Sequence, residues 1–321
     1  MTGTRMFPVG FRWGTASSSH QPDGNNPNTH WSRFEQQPGA IVYGQRSGIA
    51  GNWWADAEAD FDRMAALGLN THRLSLEWSR IEPTPGCFDD VALARYRQML
   101  SALHARGIQP WIALHHFTNP LWLEQIGGWE NPTVSERFAE YTRRVVAALG
   151  DLCQHWLTIT EPLVYLGQGW LRGTWPPHRT NPLLAVRVYR HLLAAHAAAY
   201  HAIHAAQSQA QVSVAKAMRH FDPARPNHPG DWLASRLRRY LFEDLWFAAT
   251  VEGRLLPPLG VGQIDPQLEN TLDFIGVNYY ARYQVTFTPN PLHFFGREGY
   301  TLGRALSDNH ARGPYSQFDP D

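Results

Sequence analysis

Residues 11–21 read Phe11-Arg12-Trp13-Gly14-Thr15-Ala16-Ser17-Ser18-Ser19-His20-Gln21. An apolar run gives way to small residues and then to polar side chains. Gly14-Thr15-Ala16-Ser17-Ser18 lacks the G-x-G-x-x-G spacing of a dinucleotide-binding first turn. If this is the first strand of a parallel sheet, the doubly wound, nucleotide-binding version of that sheet is disfavoured, and a barrel is preferred.

The rest of the chain supplies the parallel sheet. β-rich runs near Phe11–Ala16, Thr71–Leu76, Gln109–His115, His155–Thr160, Gln211–Met218 and Thr271–Asn278 alternate with long amphipathic patterns. Trp53–Leu67 repeats apolar residues at Ala57, Phe61, Met64 and Leu67, and stops at Gly68. Val91–Arg106 stops at Gly107, and a helix after Asn131-Pro132 stops at Gly150. A long Ala-rich helix follows Asn181-Pro182 to about Ala206, and another runs from Asp231 to about Thr250. Crossovers of this length join parallel strands. The expectation is an α/β fold, an incomplete (β/α)₈ TIM barrel with about six of its eight β/α units. Residues 1–321 are expected to form a single catalytic barrel domain lacking the last two units.

Polar and aromatic residues crowd the C-terminal end of each expected strand: Ser19-His20-Gln21, Glu77-Trp78, His115-His116, Glu161 and Asn278-Tyr279-Tyr280. In a barrel of this type those ends form the face that carries the active site.

Composition narrows the function. Lys plus Arg number 28 and Asp plus Glu 28, so no net field attracts nucleic acid or an anionic membrane. The two cysteines, Cys87 and Cys153, make no disulfide framework and fit free thiols in a reducing compartment. The N-terminal residues show no apolar signal region. No apolar run reaches the roughly 18–20 residues of a membrane span. A cytoplasmic protein is expected. The 13 tryptophans are mostly core material. Pyranose rings, however, present C–H faces that stack on aromatic planes while polar groups bind their hydroxyls.

The run Trp156-Leu157-Thr158-Ile159-Thr160-Glu161-Pro162 places a carboxyl at the end of an apolar strand, with a proline behind it. Apolar surroundings disfavour the ionised carboxylate, which suits a proton donor.

The chain resembles glycoside hydrolase family 1, the β-glucosidase and β-galactosidase family, through five motifs in the family's order. They are Phe11 to Gln21; His72-Arg73-Leu74-Ser75-Leu76-Glu77-Trp78-Ser79-Arg80-Ile81-Glu82-Pro83; Leu114-His115-His116-Phe117-Thr118-Asn119-Pro120 with Gly127-Gly128-Trp129; Thr158-Ile159-Thr160-Glu161-Pro162; and Asp273-Phe274-Ile275-Gly276-Val277-Asn278-Tyr279-Tyr280. The resemblance implies a retaining β-glycosidase in carbohydrate metabolism, acting on small β-glucosides or related β-glycosides, with no cofactor and no metal. It implies Glu161 as general acid/base and Gln21 and His116 as ligands of sugar hydroxyls. Arg73 would support the nucleophile, Asn278 and Tyr280 would line the same pocket with the Tyr hydroxyl on the nucleophile, and Trp129 would lie on the aglycone side.

Two departures stand out. The family has Asn before the acid/base Glu, a donor to the sugar 2-hydroxyl, and this chain has Thr160. A Thr hydroxyl is shorter, so weaker transition-state binding or a bridging water is expected. The family's nucleophile is a Glu in a T-E-N-G-like run on the seventh strand, and no such run follows Tyr280. Glu298 and Asp308 stand in other contexts, and the tail from Pro289 reads as a loop. A retaining enzyme needs two carboxyls about 5–5.5 Å apart. The alternative is therefore a catalytically inactive sugar-binding member or a gene fragment. Oligomeric state and sugar preference stay open. The histidines His191, His196, His201 and His204 lack metal-ligand spacing, and Arg236-Leu237-Arg238-Arg239 reads as a solvated basic face.

Overall fold

The computed structural model describes residues 6–290 and 293–300. Asp308 lies outside the described residues. Chain contacts divide into two compact units: residues up to Thr160 with Ala198–Val212, and Glu161–Ala197 with Ser213 onward.

The first unit carries strands β1 (Gly14–Ala16), β2 (Thr71–Ser75), β3 (Gln109–His115) and β4 (His155–Thr160). They pair in parallel and in sequence order, with Gly14 beside Thr71, Thr71 beside Gln109 and Ile112 beside Trp156. β3 and β4 have the expected bounds. β1 is shorter than expected: Phe7, Phe11 and Trp13 meet one another at centroid distances of 4.5–4.8 Å, and only the Trp13 carbonyl reaches the next strand, accepting from the amides of Asn70 and Thr71. Gly14 has to be a glycine: a Cβ there would stand 2.3 Å from the Thr71 carbonyl oxygen.

Between these strands run helices α1 (Glu58–Ala66), α2 (Asp90–Ala105) and α3 (Val134–Leu149). α2 starts where the Asp89 carboxylate accepts from the amides of Val91 and Ala92. It buries Tyr96, Met99, Leu100 and Leu103, a stripe at helical spacing. α3 buries Phe138, Tyr141, Val145 and Leu149. Trp78 stacks on Tyr141 at 4.9 Å and meets Phe138 at 5.5 Å, so the aromatic content of this unit is largely core.

The second unit opens with the short helix α4 (Pro162–Leu166), which continues as one π-turn over Gly167–Leu171. α5 (Pro182–Ala206) and β5 (Gln211–Pro223) each begin or end in the first unit. α6 (Pro229–Arg239) passes through a π-turn at Tyr240–Asp244 into α7 (Leu245–Glu252). β6 (Gly276–Phe287) runs parallel to β5, and β7 (Gly296–Tyr300) runs antiparallel to β6.

Two expectations are corrected here. The sixth strand begins at Gly276, not Thr271, and extends well past Asn278. Thr271 to Ile275 form its approach: the Ser213 hydroxyl donates to the Phe274 carbonyl at 2.7 Å, and His196 Nε2 meets the Thr271 carbonyl at 2.9 Å. The tail after Pro289 is not all loop. Gly296–Tyr300 pairs with Tyr283–Phe287, so the end of β6 has a partner on its outer edge. No helix of the described residues is long and apolar enough to cross a membrane.

Candidate active site

Glu161 ends β4's sequence run and caps α4 with φ 47° and ψ 55°. That left-handed backbone is uncommon for a residue with a β-carbon and costs free energy that the surroundings must supply. The surroundings are visible. The Glu161 amide donates to the Ala215 carbonyl at 2.6 Å, and Pro162 starts the helix with its φ already set. The side chain is buried, 4% exposed. Its Oε1 accepts from Asn278 Nδ2 at 2.7 Å and from the Tyr280 hydroxyl at 2.5 Å. Among the described residues nothing donates to Oε2. Two donors on one oxygen fix the carboxyl plane and leave the other oxygen for a transferable proton.

Asn278 and Tyr280 reach Glu161 because they are two apart on β6 and so point to the same side. The Tyr280 hydroxyl, expected on a nucleophile, donates here to Glu161 instead.

The other expected residues lie in the first unit. His116 follows β3. The Ser75 hydroxyl donates to the Ser17 carbonyl at 2.7 Å, so the 2.9 Å contact between Ser75 Oγ and His116 Nδ1 has the ring N–H donating. Nε2 is then the acceptor for a ligand hydroxyl. Burial, and next the Arg73 guanidinium, push the His116 imidazolium down to about 3, so the ring is neutral at physiological pH. Arg73 itself sits in β2, paired with Ala16 and Trp111. Gln21 is exposed, and its Oε1 accepts from the Ser18 hydroxyl at 2.9 Å.

Trp129 is not where it was expected. Its ring is fully buried, 0% exposed, against His115 at 5.1 Å and Phe138 at 6.0 Å, and its Nε1 donates to Asn119 Oδ1 at 3.1 Å. It is a core residue. Thr160 is 1% exposed, and its hydroxyl has no hydrogen-bond partner among the described residues.

Three polar groupings were not anticipated. Glu77 accepts from the hydroxyls of Ser19 (2.8 Å) and Ser79 (2.9 Å), and nearby Asp23 accepts from Tyr96. Burial first, and the Glu77 charge second, raise the Asp23 carboxyl to about 8. Lys216 forms a buried pair with Glu243 at 2.7 Å, and burial holds its ammonium down to about 8. Arg172, Arg219 and Arg238 gather on Glu298. Arg238 therefore corrects the reading of residues 236–239 as a solvated face, since its side chain is only 14% exposed. The sequence held one cue, the presence of charge inside otherwise apolar strands, as at Lys216. The partners are distant in sequence and could not be paired from it.

A buried carboxyl held by Asn278 and Tyr280, in a chain of alternating parallel strands and helices, fits a glycosidase of the α/β-barrel class. The chain belongs to glycosyl hydrolase family 1, whose model matches residues 3–298. It is similar to beta-glucosidase A of Thermotoga maritima, 26% identical over 302 residues, covering 89% of this chain and 68% of that protein. It is 30% identical to beta-glucosidase 6 of Oryza sativa subsp. japonica, of which it covers 59%. Among solved structures, the beta-glycosidase from Pyrococcus horikoshii superposes with a TM-score of 0.84 at 35% identity, over 95% of this chain and 68% of that one. The family 1 β-glucosidase of Thermotoga maritima gives 0.86 at 26% identity, over 94% and 71%. The fold class is thus an α/β barrel of the (β/α)₈ kind, present in part.

Proposed function

We propose that Glu161 is the acid/base carboxyl of a retaining β-glycosidase acting on β-glucosides or related small β-glycosides. Glu161 is poised to protonate the leaving oxygen through Oε2 and then to draw a proton from water through the same oxygen, the two proton transfers of a double displacement whose glycosyl-enzyme bond needs a nucleophile from outside this sequence. The observation that carries this is the pair of donors on Oε1. They hold the carboxyl while its charge changes. Gln21 and His116 bind sugar hydroxyls, His116 as a neutral acceptor. Arg73 is the cation that would keep a nucleophile carboxylate ionised, and Thr160 takes the place of the donor to the 2-hydroxyl. Residues 1–321 act as one domain. The nucleophile role falls on no residue of this sequence. A part in carbohydrate metabolism and a cytoplasmic location complete the reading. The location is supported by the free thiols, exposed Cys87 and buried Cys153.

The test uses the 321-residue chain. Deoxynojirimycin, titrated calorimetrically, is expected to bind, and Glu161→Ala to weaken it. An aryl β-glucoside and an aryl β-galactoside are expected to show little turnover, and a 2-fluoro glycoside no covalent label. Absence of iminosugar binding overturns the sugar site. Covalent labelling by the fluoro sugar identifies a nucleophile and overturns the one-carboxyl reading.

A further inference from the structure

Three arginines of the second unit converge on one carboxylate. Arg172 Nη2 lies 3.0 Å from Glu298 Oε2, and Arg238 donates through Nη1 to Glu298 Oε1. Arg219 Nη1 comes only to 4.0 Å from Glu298 Oε2. One negative charge thus faces three fixed positive ones.

The three arginines are not equally satisfied. Arg238 also donates to the carbonyls of His293 at 2.8 Å and Gly296 at 2.6 Å, so it ties the β6–β7 hairpin to α6. Arg172 is half exposed and gives Glu298 one bond. Arg219 is 13% exposed and lies over the rings of Phe242 (4.6 Å) and Tyr283 (5.1 Å). Among the described residues its guanidinium donates no hydrogen bond; only its backbone amide does, to Glu243. An aromatic-clamped guanidinium with no oxygen at bonding distance leaves donor capacity that a ligand can fill.

The placement says which ligand. Arg172 caps the helical run that starts at Glu161, a rise of about 16 Å at ~1.5 Å per residue. Met218 pairs with Tyr279 and His220 with Arg282, so Arg219 stands at the level of Tyr280, the donor to Glu161. The acid/base carboxyl meets the leaving group, and an aglycone that leaves it along α4 runs toward Arg172. Glu298 shows the chemistry that fits: a carboxylate whose two oxygens are shared between different arginines.

We propose that Arg172 and Arg219 form a carboxylate-binding subsite for an acidic aglycone, a glycoside whose leaving portion ends in an aldonate or uronate. This rests on Glu161 marking the glycosidic bond. A second carboxylate accepts from the open N–H groups of Arg219 and Arg172 and leaves the Arg238–Glu298 pair in place.

Cellobionate and cellotrionate, and their uncharged alditols, are titrated calorimetrically into the 321-residue chain at about 50 mM salt, where exposed charges are weakly screened. At least one acid binds roughly fivefold to tenfold more tightly than its alditol, the scale of one partly exposed ion pair. Arg219→Gln and Arg172→Gln each remove most of that advantage, and the alditol affinity, which reports intact folding, stays unchanged. Equal affinity of acids and alditols overturns the subsite and leaves the sugar site standing. Binding of neither overturns the reading of Glu161 and this inference with it. Inorganic phosphate or free gluconate binding as tightly as the acids shows a site for free anions and overturns the aglycone assignment.

Discussion

At the residue scale, Glu161 joins strain to function. A β-carbon in the left-handed region costs about 1–2 kcal/mol. Comparing Glu161→Gly with Glu161→Ala isolates that cost, because both remove the carboxyl. Glycine is expected to be more stable by about 1 kcal/mol in urea titrations, and equal midpoints would show an unstrained backbone. Thr160 makes the complementary case. Its buried hydroxyl has no partner among the described residues. Thr160→Asn restores the longer donor of the family motif and is expected to tighten deoxynojirimycin binding by up to about tenfold, one net hydrogen bond. A weaker or unchanged affinity would mean that residue 160 does not face the sugar. Both residues were legible in the sequence because Thr158 to Pro162 is contiguous. The left-handed backbone was not, since it arises from the Ala215 carbonyl on another strand.

At the element scale, α6 and β6 are joined by Asp231. Its carboxylate accepts from the Arg225 amide (3.0 Å), Arg225 Nε (2.9 Å) and Nη2 (2.8 Å), and the Phe287 amide (2.8 Å). The Arg225 guanidinium foremost holds this carboxyl far below the usual range. A depressed folded value means the contribution is present above the unfolded value of about 3.9 and fades as pH falls below it. Asp231→Asn keeps the shape and loses the charge. It is expected to cost on the order of 2 kcal/mol at pH 7 and less below pH 4, measured by urea unfolding. An equal cost at both pH values would assign the effect to packing. The same elements show what sequence pattern misses. β3 and β4 were read with their observed bounds because their apolar runs stop at turns. β6 was misplaced because the apolar residues Leu272, Phe274 and Ile275 lead on to Val277, and only the Ser213 and His196 bonds show that Thr271 to Phe274 are an approach to the strand. β7 was missed because Gly296-Arg297-Glu298-Gly299 has no strand-like composition. It is held by pairing with β6 and by Arg238, both long-range effects.

At the scale of the molecule, the first unit holds five histidines whose protonated forms burial disfavours, half-buried His155 among them. His30, His72 and His115 are lowered to about 4, and His116 to about 3. Each folded value lies below the unfolded one of about 6.5. Each therefore contributes stability above pH 6.5 that is lost as pH falls toward 4, at up to about 1.4 kcal/mol per pH unit for every proton taken up on unfolding. Asp23 has the opposite sign. Raised to about 8, its contribution is complete below the unfolded value of about 3.9 and is lost as pH rises toward 8. Five histidines outweigh one carboxyl, so the urea midpoint is expected to drop steeply between pH 6.5 and 4.5. Asp23→Asn keeps the neutral form of the side chain. Its gain over the parent is expected to be small near pH 4 and to grow to a plateau near pH 8, with the acid drop undiminished. A midpoint that holds level from pH 6.5 to 4.5 would mean the histidines protonate without unfolding. A gain that shrinks as pH rises would mean that Asp23 is ionised in the native protein and serves Arg80, 3.7 Å away, as an ion-pair partner.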